Sequence, residues 1–96
     1  MAELVLHEKI TDESGNTVEM QIWRVPVSSH APHGLKYSPV YAVNGERVIG
    51  CDNAERRGDH RHFRDVETKY VFRSVRKLVR DFQVDVARYK EKSHES

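Results

Sequence analysis

The sequence predicts a single α+β domain: an antiparallel meander sheet of four to six strands with one C-terminal helix packed on one face. Three observations carry this. Apolar and polar residues alternate through the first half of the chain, the period of a half-buried strand. Turn residues divide those runs, and Asn44-Gly45 is the strongest hairpin signal. From Val75 onward the apolar period becomes helical. Ninety-six residues suffice for one core and not for two, so residues 1–92 are expected to form the domain and 93–96 a frayed tail.

The first strand runs from Leu4 to Thr11, with Leu4, Leu6 and Ile10 on one face and Val5, His7 and Lys9 on the other. Asp12 to Asn16 is a turn, because Gly and Asn accept positive φ. Thr17 to Val27 completes a hairpin, with Val18, Met20 and Ile22 on one face and Glu19, Gln21, Trp23 and Val25 on the other. Pro26 ends that strand, and Ser28 to Gly34 is loop. Leu35 to Val43 is the third strand; Leu35, Tyr37, Tyr41 and Val43 share a face, opposite Lys36, Ser38, Val40 and Ala42. Pro39 cannot donate to a ladder, which predicts an edge position or a bulge there. Arg47 to Cys51 is the fourth strand, and Gly50 in it predicts a bulge or a close backbone approach.

Residues 53–59 are loop, and Arg61 to Arg64 with Lys69 to Phe72 read as two short strands or one interrupted strand. Ser74 is the N-cap of the helix, although Lys77 completes no capping box. Val75, Leu78, Val79, Phe82, Val86 and Tyr89 form its apolar stripe, which ends near Lys90. That stripe needs one sheet face. The other face would carry Trp23 with Val25 and Val40 or Ile49, an apolar patch that predicts a homodimer or a hetero-complex.

Composition narrows the class. Hydrophobic content of 38% against 32% charged is wet but still supports a folded chain. The start lacks a basic stretch followed by an apolar run, so no secretory signal is expected, and no segment approaches a membrane span. The lone Cys51 fits a reducing cytoplasm, excludes a cysteine-based zinc framework, and reads as a small core residue. The near-zero net charge hides an asymmetry. Residues 1–55 carry −4, residues 56–80 carry +6 and residues 81–96 carry −1. A basic field of this kind attracts nucleic acid or an acidic protein.

Chemistry concentrates between Asp52 and His62. His60 and His62 are two apart, which on a strand places both rings on one face and turns Arg61 and Phe63 to the other. Two imidazoles can exchange protons near neutral pH, and guanidinium groups grip phosphate at two points. His60, His62 and Asp59 are therefore candidate catalytic residues. Arg57, Arg61, Lys36 and Arg47 are candidate phosphate ligands, supported by Asp52, Asn53 and Gly58. Asp59 or Asp52 could fix an imidazole tautomer. The same histidines with either acid could hold a metal, but the adjacent arginines disfavour a cation, so no metal or cofactor is expected. His30 and His33 could reach the site only if their loop folds over it. His7 and His94 read as surface residues, and Tyr37 and Tyr41 as sheet packing.

The block from Tyr41 through Asn44-Gly45 to Asp52-Asn53, followed by Gly58-Asp59-His60-Arg61-His62, resembles the TumE family of small bacterial proteins. Ile22-Trp23-Arg24-Val25-Pro26 and Tyr70-Val71-Phe72-Arg73-Ser74 belong to the same likeness, which covers most of the chain. Cys51 stands where a tyrosine is expected, and Arg56-Arg57 where an Arg/Lys–Gly–Lys pattern is expected. The resemblance implies a growth-inhibiting toxin of a bacterial toxin–antitoxin module, with a helix-turn-helix antitoxin as partner. Joined to the histidine chemistry, it predicts action on RNA as a metal-independent ribonuclease. The alternative is a non-enzymatic module whose basic face docks nucleic acid or an acidic protein. A weaker third reading is a metal-dependent hydrolase.

Overall fold

The computed structural model describes residues 2–29, 31–53 and 58–94. Six strands precede one helix: β1 (Glu3–Thr11), β2 (Thr17–Arg24), β3 (Leu35–Val43), β4 (Glu46–Asp52), β5 (His60–Phe63), β6 (Val66–Lys69) and α1 (Val75–His94). The strands form one sheet in chain order, each antiparallel to the next. This is the predicted antiparallel meander with one helix on it, and the sheet is open. Among the described residues no helix is long and apolar enough to cross a membrane.

The turn chemistry works as read. Asp12 Oδ1 accepts the Ser14 and Asn16 amides, closing the β1–β2 turn. Asn44 and Gly45 both take positive φ, 54° and 79°, which matches the strand twist in a two-residue hairpin. Ser74 Oγ caps α1 by accepting the Lys77 amide.

The register sorts the side chains. Met20 and Ile22 on β2, Tyr37 and Tyr41 on β3, and Ile49 and Cys51 on β4 are buried on the face that meets α1. Leu78, Phe82 and Val86 close this core from the helix, with Tyr70 packed beside Leu78. The helix lies mainly over β4 and β3. It is pinned by polar contacts as well: Tyr70 Oη donates to Asp81 Oδ2 at 2.7 Å, and Tyr89 meets Tyr41 edge to face.

Several expectations are corrected. A bulge between Leu4 and Leu6 pairs Leu4 with Trp23, away from the core side. Ile49 is fully buried in the core and takes no part in an outer patch. The last strand is Val66–Lys69 and not Lys69 to Phe72; Tyr70 instead enters the core beyond the sheet, and half-buried Phe72 packs against it. The helix continues past Lys90 to His94.

Pro39 lies in a central strand, not at an edge. Tyr37 N–H points toward β4, so two residues on the Pro39 nitrogen faces the same way. It has no proton to give, and regular β3–β4 pairing stops at Val40–Gly50. Beyond that point the buried Asn53 side chain takes over: its Oδ1 accepts Tyr37 N–H at 3.1 Å and its Nδ2 donates to the Leu35 carbonyl at 2.7 Å.

Candidate functional site

The face of the sheet away from α1 carries the histidine pair. Asp52 pairs with His60, Gly50 with His62, and His62 with Glu67 across β4, β5 and β6. The two imidazoles meet edge to face, 4.9 Å between centroids and 80° apart. Asp52 stands between them. Its Oδ1 is 3.0 Å from His60 Nε2, and its Oδ2 is 3.6 Å from His62 Nε2. Glu67 Oε1 lies 3.6 Å from His60 Nε2.

Arg47 reaches this centre because β4 is bulged as well. The register shifts so that Ile49 opposes Tyr41 while Arg47 opposes Ala42, which returns Arg47 to the histidine face. Its stem crosses Gly50, where a Cβ would stand 3.1 Å from Arg47 Cδ. Gly50 thus marks a close approach, by a side-chain stem, and the bulge itself lies at Val48. The guanidinium then lies 3.6 Å from Asp52 Oδ2 and 3.4 Å from His62 Nδ1.

Hydrogen bonding distinguishes the two rings. His60 Nδ1 is 3.1 Å from the Gly58 carbonyl, which can only accept, so that nitrogen carries a proton. Its Nε2 faces the Asp52 carboxylate. Burial lowers the pKa of His62 below 6.5, and the Arg47 and His60 charges add to this against the opposing pull of Asp52 and Glu67. At neutral pH His62 is therefore uncharged, with Nδ1 accepting from Arg47.

Asp52, His60 and His62 offer three ligand atoms within 4.8 Å of one another, a set that suits a divalent transition ion. Arg47 opposes that use. A metal on His62 Nε2 requires the ring proton on Nδ1, where the guanidinium already presents its own.

The other predicted residues are distributed elsewhere. Arg61 lies on the helix face, where Nε and Nη2 donate to the two oxygens of buried Asp85, each at 2.6 Å. It is therefore not brought to the histidines. Asp59 also turns to the helix side and pairs with His33 Nε2 at 3.1 Å; Asp52 takes the orienting position instead. Asn53 bridges β3 and β4. Gly58, at φ 77°, supplies the carbonyl for His60. Lys36 is exposed on the histidine face of β3. Arg57 falls outside the described residues. Cys51 is buried, and burial pushes its thiol pKa up to about 12, which suits a core residue.

Sequence reasoning missed Glu67 and Lys69, which line a cavity of about 340 Å³ with Asp59, His60 and Thr68. Their alternation in an exposed edge strand was the available signal. It also missed the His33–Asp59 pair, for which the only signal was a histidine between Pro32 and Gly34.

Neither the curated proteins nor the solved structures compared with this chain give a match. The family described as Toxin TumE matches residues 2–90, which spans the whole sheet and most of the helix. A toxin of this kind is one component of a toxin–antitoxin module and has an antitoxin as partner. The chain therefore belongs to the TumE toxin family.

Proposed function

We propose that this toxin arrests growth by cleaving RNA without a metal, at the Asp52–His60–His62–Arg47 centre. One observation carries the reading: two imidazoles in contact around a shared carboxylate, one uncharged and one held between acceptors, with an arginine laid across them.

The rings are too close to stand on opposite sides of a phosphate for in-line displacement, so their roles differ. A substrate phosphate draws the half-exposed Arg47 guanidinium off His62 and uncovers the Nδ1 lone pair. That nitrogen takes the proton of a 2′-hydroxyl, and the oxygen attacks the adjacent phosphorus. The bond to the 5′-oxygen breaks, and that oxygen takes a proton from water. A 2′,3′-cyclic phosphate and a 5′-hydroxyl result. Arg47 places its positive charge beside the phosphate as charge builds, while His60, fixed by Gly58 and Asp52, keeps the carboxylate in place. His62 then returns its proton to solvent.

The setting we infer is the bacterial cytoplasm, with a helix-turn-helix antitoxin as the neutralising partner. Exposed Leu4, Val5 and Ile10 on edge strand β1 support docking of a partner or a second copy on that side. The test is induced expression in bacteria, followed by cleavage assays with purified protein. Wild type should stop growth and yield cyclic-phosphate ends in the presence of a chelator. His62→Ala should do neither while keeping its circular dichroism. Undiminished cleavage by His60→Ala/His62→Ala rules the centre out, and loss of activity in chelator favours the metal-bound alternative.

A second reading has its own observation. Arg76, Lys77 and Arg80 line a groove of about 530 Å³ along exposed α1, behind the sheet from the histidines. As a non-enzymatic module, the protein would hold nucleic acid there. Charge reversal at Arg76 and Arg80 would then abolish toxicity, and histidine substitutions would not.

A further inference from the structure

His33 and His60 lie on opposite sides of the sheet, yet bonded groups join them without a gap. His33 Nδ1 accepts Leu35 N–H at 3.3 Å, which leaves the ring proton on Nε2 and directs it to Asp59 Oδ2 at 3.1 Å. The ring itself rests on Phe72, centroids 4.2 Å apart. Asp59 is thus fixed through its side chain, and its own carbonyl accepts Tyr70 N–H at 3.1 Å. One peptide plane runs from the Gly58 carbonyl to the Asp59 nitrogen, so fixing Asp59 aims that carbonyl. Gly58, at φ 77°, supplies little restraint of its own. The carbonyl it presents is the one His60 Nδ1 meets at 3.1 Å, and this contact determines which nitrogen of His60 faces Asp52.

The surroundings of Asp59 sharpen the point. The Tyr37 hydroxyl is buried close to this carboxylate. His33 adds a directed bond to that carboxylate, Nε2 to Oδ2 at 3.1 Å.

We propose that His33 is a positioning residue for the reacting imidazoles: through Asp59 and the Gly58 carbonyl it holds His60 with Nδ1 engaged and Nε2 presented to Asp52. The proposal rests on the nuclease reading and extends its machinery to the far side of the sheet. Anchoring the start of β3 does not require this pair, because Asn53 already bonds Leu35 and Tyr37.

The test uses the full-length chain with ¹⁵N-labelled histidines. Ring ¹⁵N–¹H spectra report which nitrogen of each imidazole is protonated, and cleavage of a short RNA reports turnover. Wild type should show His60 protonated on Nδ1. His33→Ala should give His60 mixed tautomers and lower kcat by about 10- to 100-fold with KM little changed. His33→Gln still offers an amide donor to Asp59, so it should restore the His60 pattern and most of the turnover. An unaltered His60 spectrum in folded His33→Ala overturns the proposal. Should His33→Ala not fold, a scrambled His60 pattern in His33→Gln overturns it instead. If wild type itself cleaves nothing, the nuclease reading fails, while the spectra still decide the positioning role.

Discussion

Arg61 sits inside the histidine block, yet its loss should act on stability and not on chemistry. Its guanidinium grips Asp85 with two bonds of 2.6 Å, and Asp85 is only 3% exposed. Arg61→Ala strands that carboxylate in the core. Breaking a buried pair from one side costs about 3–5 kcal/mol. A third of the Arg61 side chain is open to water, which softens the penalty, so about 3 kcal/mol is the expected loss. For a domain of this size each kcal/mol lowers Tm by about 4–8 °C, so the variant should melt about 12–24 °C below wild type. Urea unfolding at constant pH measures the loss directly. Removing both charges should recover most of it, and Arg61→Met/Asp85→Leu should stay toxic. An Arg61→Ala protein that melts within a few degrees of wild type and is inactive would refute this reasoning and put the guanidinium on substrate.

Three further outcomes are expected. Asn53→Ala leaves the Tyr37 amide and Leu35 carbonyl without their partner, which should cost about 2–3 kcal/mol in urea unfolding; a loss below 0.5 kcal/mol contradicts the bridging role. His62 has a folded pKa below its free value of 6.5, so the unfolded chain takes up a proton first as pH falls. Its contribution to stability is thus lost progressively below pH 6.5 down to the folded pKa; His62→Gln should flatten that part of the pH–stability curve, and an unchanged slope argues against a depressed value. Cys51 should resist a thiol reagent for hours in the native protein and react at once in denaturant, since its thiol is buried with a pKa near 12. Fast native labelling would place it at the surface.

The parts of the fold that were legible in the sequence share a local cause. Alternation gave the faces of β2 and β3, Asn44-Gly45 gave the hairpin, and Ser74 gave the helix start. The i, i+2 spacing put His60 and His62 on one face and Arg61 on the other. What was missed depends on residues far apart in the chain. The bulge in β4 returns Arg47 to the histidines, and nothing in Arg47-Val48-Ile49 alone announces it. Arg61 reads as a phosphate ligand until Asp85, 24 residues on, is seen beside it. Tyr70-Val71-Phe72 has strand composition, but Tyr70 enters the core and Phe72 packs against it, while the plain segment Val66–Lys69 pairs as the edge.

The helix rests over β3 and β4, while β1 at one rim is exposed along nearly its whole length. A sheet clasped in the middle and bare at the rim comes apart in stages. Amide hydrogens of β1 should exchange through small openings that leave the centre closed, whereas those of β3 should wait for the entire molecule to unfold. A protein capping that rim would therefore slow exchange there by orders of magnitude while scarcely altering the core, giving a readout of partner engagement that requires no assay of toxicity.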